Sequence, residues 1–317
     1  MSKKIGIFAT SNPLHKEKKP QNYAFLKSKG FEIYESENVR RRIGHTAGSI
    51  EERVSALHNL LKDNSIDILM AYWGGANTNQ LLPHLDYNLF KEKNKKIIGF
   101  SDTSALLLAV NKLAGITTYL GPAGISFDKP EPFEYTFDYF KRFLVDEEEN
   151  ILIKDSSEYA DDLYFLRQDS DHRIIQKNTG RKIFRHGKTE GIAIASNLQT
   201  LLVLAGTLYF PNLKDKILFI EEDENTDTAM IHRFFTHLSQ TINLNILKGI
   251  CIGRFMYQSG FSEKDSQEMI FQDVFDNLNI PIIYNLNFGH SDPLFTIPIG
   301  ERVRIDTKKN ILEFIKN

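Results

Sequence analysis

A short apolar run, Ile97-Ile98, ends in Gly99-Phe100-Ser101-Asp102, and a second apolar stretch, Ala105-Leu106-Leu107-Leu108-Ala109-Val110, follows at once. The pattern reads as a strand, a tight turn and a helix N-terminus, with a serine on the turn. A hydroxyl placed there is lifted out of the sheet. It sits beside backbone N–H groups able to stabilise an oxyanion. The same position also suits a plain helix N-cap, so Ser101 alone does not decide between structure and chemistry.

Acyl transfer by a serine needs a base and a group that orients the base. Among nine histidines, His290 lies in Asn287-Phe288-Gly289-His290-Ser291-Asp292-Pro293, just after the apolar run 281–284. Glycine before it and proline after it mark a loop at a strand end; an ordinary surface histidine is the competing reading. His232 and His237 lie five residues apart on an expected helix, share no face of it and read as surface. His15, His45, His58, His84, His172 and His186 lie near charged or turn residues with no evident partner. For the orienting acid, Lys216-Ile217-Leu218-Phe219-Ile220 runs straight into Glu221-Glu222-Asp223-Glu224. Glu221 is the first acid off the strand, where the backbone is still fixed. Glu222, Asp223 and Glu224 are expected to face solvent. The competing reading is an acidic loop that caps the helix starting near Thr226.

The elements that must position these groups follow from periodicity. In the first half, strands are expected over 4–9, 31–34, 66–71 and 96–100. Helices are expected over 18–29, 49–63, 78–86 and 103–113. Such alternation predicts a parallel sheet with helices on both faces, and ligands bind beyond the carboxyl ends of its strands. Gly74-Gly75 and Ser101 both lie at such ends. Residues 132–144 form a further, aromatic-rich helix. The character then changes: 146–150 is acidic, 155–162 polar, and 167–188 charged and aperiodic. The second half carries strand patterns at 191–195, 216–220, 249–252, 282–284 and 302–306, and helical ones at 198–205, 226–238 and 266–278. This gives a nucleophile domain over 1–150, a linker and substrate loop over 151–188, and a domain over 189–317 carrying acid and base. Ser101 lies in the first and Glu221 and His290 in the last, so the site must occupy the cleft between them. The long charged linker is expected to fold over the substrate as a lid.

Bulk properties exclude several classes. The 317 residues are 41% hydrophobic and 25% charged, with a net charge of −2, so no basic field points to a nucleic-acid polymer or an anionic membrane. The one cysteine, Cys251, rules out an intrachain disulfide and a multi-cysteine metal site; it sits in an apolar run and reads as a buried thiol. No segment has the length of a membrane span, and the N-terminal apolar run is too short for a signal-peptide core, so a cytoplasmic protein is expected. Thr103 replaces the last glycine of Gly-x-Ser-x-Gly, which disfavours an ordinary α/β-hydrolase. The Gly-x-Gly-x-x-Gly dinucleotide pattern is also absent.

The landmarks Ala47-Gly48-Ser49-Ile50-Glu51-Glu52-Arg53, Gly74-Gly75-Ala76-Asn77-Thr78-Asn79-Gln80-Leu81-Leu82-Pro83 and Ile98-Gly99-Phe100-Ser101-Asp102 continue in Asn197-Leu198, Gly206-Thr207-Leu208-Tyr209, Ile217–Glu221, Gly289-His290 and Ile297-Pro298-Ile299-Gly300. In this order the chain resembles the LD-carboxypeptidase family of serine peptidases, which includes muropeptide LD-carboxypeptidases and microcin C self-immunity proteins. The resemblance implies Ser101 as nucleophile, Glu221 as orienting acid and His290 as base, with the backbone N–H groups of Gly75 and Asp102 as oxyanion hole. It implies an α/β fold: an N-terminal Rossmann-like parallel-sheet domain and a smaller β-rich C-terminal domain. It further implies a homodimer that needs no metal or other cofactor. Trp73 stands where muropeptide enzymes usually carry arginine, and the Gly-Gly-x-Asn-Thr-Asn-Gln run is closer to the immunity branch. That branch usually has Gly-Gly where this chain has Ala195-Ser196, a change that would close space near the substrate or alter a turn.

The expected activity is therefore a serine carboxypeptidase cleaving an amide near a substrate C-terminus. The favoured substrate is a peptidyl or aminoacyl nucleotide. Candidate substrate contacts are Trp73, Gly74, Asn77 and Asn197. A muropeptide with an L,D bond is the alternative. A non-enzymatic binding protein on the same scaffold is the rival from another class, motivated by Ala195-Ser196 and the poor match over 155–188.

Overall fold

The computed structural model describes residues 3–13, 23–128, 130, 132–164 and 172–316. Two sheets dominate it. The first is built from β1 (Lys4–Phe8), β2 (Glu32–Glu35), β3 (Ile68–Ala71), β4 (Lys96–Gly99) and β5 (Thr118–Leu120), all parallel, in the order β5-β4-β3-β1-β2. Strand β3 is buried along its whole length and β1 and β4 nearly so. That burial explains their unbroken apolar runs: strands covered on both faces lose the polar alternation of a half-exposed strand.

The second half contributes β6 (Asn150–Leu152), the small pair β7 (Glu158–Tyr159) and β8 (Gln176–Lys177), then β9 (Lys182–Arg185), β10 (Lys188–Asn197), β11 (Lys216–Glu221), β12 (Gly249–Gly253), β13 (Ile282–Leu286), β14 (Ile297–Ile299), β15 (Arg302–Asp306) and β16 (Ile311–Ile315). The second sheet runs β6-β16-β15-β10-β11-β12-β13-β9. Strands β10 to β13 are parallel at its centre, and the flanking strands are antiparallel. Strand β14 crosses back and pairs antiparallel with β5, closing the edge of the first sheet.

Most elements fall where periodicity places them. Four differ. The segment expected as a helix over 78–86 is a 3-10 helix, Thr78–His84, with Pro83 inside it; proline lacks the N–H that a longer α-helix there would need. The aromatic helix Glu134–Lys141 widens into a π turn over Arg142–Asp146. Of the helix expected over 18–29, the described part is Ala24–Ser28; residues 18–22 lie outside the described residues. The region 151–188, expected as a linker and lid, contributes β7, β8 and β9 and most of β6, and two of these strands are edges of the second sheet. Charge masked these short strands, because an edge strand with one exposed face needs few apolar residues. Among the described residues no helix is long and apolar enough to cross a membrane.

The helix Ile50–Lys62 ties the first sheet to the site described below. Ser49 caps it: the Ser49 Oγ accepts from the Glu52 N–H at 3.1 Å, and the Glu52 carboxylate accepts from the Ser49 N–H at 2.8 Å. Removing one arm of such a box leaves first-turn donors unpaired. Ser49→Ala is expected to lower unfolding free energy by about 1 kcal/mol, measured by urea denaturation, while Ser49→Asp retains most of it.

Candidate active site

Strand β4 stops at Gly99, Phe100 is extended, and Ser101 adopts a left-handed backbone at φ 59° before the turn Ser101–Thr103 leads into the helix Ser104–Ala114. A non-glycine residue in that region is strained, and such strain persists where the surroundings fix it. Here the fixing partners are close. Ser104 Oγ donates to the Ser101 carbonyl at 2.6 Å, and Ser196 Oγ of β10 donates to Ser104 Oγ at 3.0 Å.

The opposite loop passes very close to the serine. A Cβ at Gly74 would lie 2.8 Å from Ser101 Cβ and 2.9 Å from its hydroxyl, so only glycine fits there. Gly75 has φ 145°. Ser11, three residues beyond β1, accepts from the N–H groups of Ala76 at 2.9 Å and Asn77 at 2.8 Å. Asp102 accepts from the Thr78 N–H at 2.8 Å and its hydroxyl at 2.7 Å. Arg53, almost fully buried, donates to the carbonyl of Thr10 at 2.8 Å and to Gln80 Oε1 at 2.8 Å. The loops after β1, β3 and β4 are thereby held as one unit.

From the other sheet, β11 ends at Glu221, whose side chain is fully buried. His290 follows β13 by a short loop. Its Nδ1 lies 2.6 Å from Glu221 Oε2 and its Nε2 lies 3.0 Å from Ser101 Oγ. The Phe100 ring meets the imidazole edge-on at 5.1 Å. Gly289 has φ 102°, and a Cβ there would lie 2.6 Å from Glu221 Oε2. Burial pulls the His290 pKa down, but the charge of Glu221 and its hydrogen bond outweigh that, with Asp223 and Glu224 adding to them; the net value is raised to about 9.

The three side chains named from sequence for catalysis thus meet in one hydrogen-bonded line. They face a cavity of about 250 Å³ whose wall includes Trp73, Gly74, Gly75, Ile125, Tyr164, Asp223 and Glu224. Trp73 is half-buried there, its indole N–H donating to the Asn12 carbonyl at 3.2 Å. Asn77 and Asn197, expected to contact substrate, are not on this wall. The Asn77 carbonyl faces the Arg53 guanidinium at 3.5 Å. Asn197 caps the helix Leu198–Val203 through the Thr200 N–H at 3.0 Å. Ala195 and Ser196 are buried in β10, so their side chains add to the sheet and not to the cavity.

Glu222 was expected in solvent and is instead fully buried. It accepts from the Gln199 N–H at 2.6 Å and the Thr226 hydroxyl at 3.0 Å. Burial first and neighbouring Glu221 second push its pKa up to about 7. Sequence reasoning also missed Ser11, Arg53 and Thr78. Ser11 follows a strand end, which was an available signal; Arg53 and Thr78 act through contacts that only the folded loops create. No group of His, Cys, Asp and Glu suited to a metal ion occurs among the described residues.

Two family models match the chain: an LD-carboxypeptidase N-terminal domain over residues 5–121 and an LD-carboxypeptidase C-terminal domain over 190–305. The microcin C7 self-immunity protein MccF of Escherichia coli is 30% identical over 321 residues, covering 97% of this chain and 92% of that protein. The crystal structure of an MccF-like protein from Bacillus anthracis superposes with a TM-score of 0.92 at 33% identity, covering 100% of this chain and 97% of the other. A structure of MccF in complex with aspartyl sulfamoyl adenosine superposes at 0.91 with 27% identity, covering 100% and 96%.

The raised His290 pKa is directly measurable. Imidazole titration by NMR is expected near pH 9. Glu221→Gln removes the main support and leaves burial unopposed, so the value should fall by about 1–3 units. The stability linkage has a definite sign. Because the folded value lies above the ordinary histidine value of 6.5, the contribution of protonated His290 is fully present below about pH 6.5. It is lost as pH rises through about 9. Denaturation curves of the native protein should show that loss, and a His290→Gln variant should not.

Proposed function

We propose that this chain, which belongs to the LD-carboxypeptidase family, is a serine hydrolase whose nucleophile, base and orienting acid are Ser101, His290 and Glu221. The observation that carries the reading is the imidazole spanning 3.0 Å to Ser101 Oγ and 2.6 Å to Glu221 Oε2. In the first step Ser101 Oγ bonds to the substrate carbonyl carbon while Nε2 takes its proton. The tetrahedral oxyanion lies against the backbone N–H groups of Gly75 and Asp102. Collapse breaks the C–N bond, and His290 returns the proton to the leaving nitrogen. Water, deprotonated by the same imidazole, then releases the acyl group and regenerates Ser101. Glu221 fixes the tautomer and stabilises the imidazolium.

The favoured substrate is an aminoacyl or peptidyl nucleotide. The MccF complex with aspartyl sulfamoyl adenosine supports this class. So do Trp73, an aromatic face suited to a base, and Asp223 and Glu224, acids on the wall suited to the ammonium of an aminoacyl group. Catalysis in the cytoplasm by a homodimer completes the proposal; light scattering reads the dimer directly.

Purified protein should be offered aspartyl sulfamoyl adenosine and, separately, a muropeptide with an L,D bond, with products read by mass spectrometry. Hydrolysis of the first at the acyl–nitrogen bond is expected, and Ser101→Ala should lower kcat by roughly 10⁴-fold or more without loss of fold. Cleavage of the muropeptide alone would replace the substrate and keep the mechanism. Tight binding of an uncleaved ligand, with no labelling of Ser101 by a fluorophosphonate, would make the chain a binding protein. Because the base must be neutral in the free enzyme, kcat/KM should climb with pH to a limb near 9.

A further inference from the structure

Residues 160–164 and 172–174 are bound to the His290 loop through a buried cation outside the hydrogen-bonded line of Ser101, His290 and Glu221. Arg173 has a side chain 1% exposed. Its Nε lies 3.1 Å and its Nη2 2.9 Å from Asp162 Oδ1, and the same Nη2 lies 2.8 Å from Asp292 Oδ2. Asp162 is matched in turn, accepting from the Ile174 N–H at 3.0 Å. The Arg173 guanidinium carbon sits 5.4 Å from the Tyr164 ring centroid and 5.5 Å from that of Phe133. Each carboxylate leads to one side of the site. Asp162 immediately precedes Leu163 and Tyr164, both on the wall of the Ser101 cavity. Asp292 lies two residues beyond His290, and its backbone is bridged to Ala160 by N–H···O bonds of 2.9 and 3.1 Å.

We infer that Arg173 is a positioning residue that fixes the substrate wall at Leu163-Tyr164 and the loop carrying His290 relative to each other. A planar fork can hold two carboxylates on different segments at once, and an ammonium cannot reproduce that geometry. The paired acids are also why the cation is tolerated in the interior: buried charges persist when partnered and hydrogen-bonded. The inference rests on the proposed roles of Ser101 and His290, and it assigns separate consequences to the two arms. Weakening the Asp162 arm frees the wall and should raise KM. Weakening the Asp292 arm loosens the base and should slow chemistry at Ser101.

The test uses the full chain and two readouts: the labelling rate of Ser101 by a small fluorophosphonate, which needs the Ser–His alignment and little of the wall, and KM and kcat on the substrate that the native protein cleaves. Asp162→Asn is expected to raise KM about tenfold with labelling within twofold of native. Asp292→Asn should cut labelling and kcat about tenfold with a small change in KM, and Arg173→Lys should do both. Asparagine keeps the shape of either acid, so these two variants retain a test if Arg173→Lys does not fold, which is checked by circular dichroism. Folded variants that lose thermal stability but keep native labelling, kcat and KM would make Arg173 purely structural and overturn the inference. Equal effects of Asp162→Asn and Asp292→Asn on both readouts would also overturn it. Failure of the native protein to label at Ser101 would instead strike the functional reading itself.

Discussion

The structure depends on one constraint: an imidazole from the second sheet must reach a serine on the first while its other nitrogen stays on a buried acid. Ser101 follows β4 and Glu221 ends β11, so neither sheet holds the line alone. Close approach then limits the residues around it. Side chains at positions 74 and 289 would collide with Ser101 and Glu221. The strand β14 and the contact of Ser196 with Ser104 both join the two sheets. A shift of one sheet against the other would be felt first between Ser101 and His290, and an error of about 1 Å there can cost on the order of 10²-fold in rate.

The hydrogen-bonded line of Ser101, His290 and Glu221 was legible because each member follows a local signal. An apolar strand runs straight into Gly-Phe-Ser-Asp, another into a run of acids, and a third into a loop marked by glycine and proline. Strand ends are where backbone geometry is fixed and side chains are free, so type and position coincide. The supporting shell was not legible for the opposite reason. Arg53 sits on a helix face that reads as ordinary surface charge, and Thr78 reads as a helix start. Their roles arise from loops that meet only in three dimensions. Of the two asparagines expected to contact substrate, Asn197 caps a helix with its side chain, a backbone-serving use open to any short polar side chain. Glu222 shows the limit of counting acids. Its neighbour in sequence feeds the imidazole, and it goes into the interior to hold the next turn.

Edge strands account for most of the remainder. Residues 151–188 look like a linker because charged residues interrupt any apolar period, yet β6 and β9 are the two edges of an eight-stranded sheet. Charged, short edge strands protect a sheet from unwanted pairing, and the same composition hides them from periodicity. What the charge does reveal is pairing across segments. Arg173 meets Asp162 and Asp292, and Arg181 meets Asp155 at 2.8 Å. Two of these pairs fold the region on itself, and the third ties it to the loop that carries His290.

The electrostatics around His290 favour the protonated imidazole. Glu221, Asp223 and Glu224 together raise His290 to about 9 against the pull of burial. An imidazole held that high is mostly protonated near neutrality. In the proposed mechanism the same field would stabilise the imidazolium formed as Ser101 attacks, and groups already oriented toward a developing charge need no reorganisation at that moment. A substrate bearing an ammonium would set its own positive charge against Asp223 and Glu224 as it filled the cavity. Two of the three supports of the imidazolium would then be shared, and the base would move toward neutrality as the substrate arrived. Glu221 alone, fully buried and in direct contact, would remain to hold the tautomer and meet the charge.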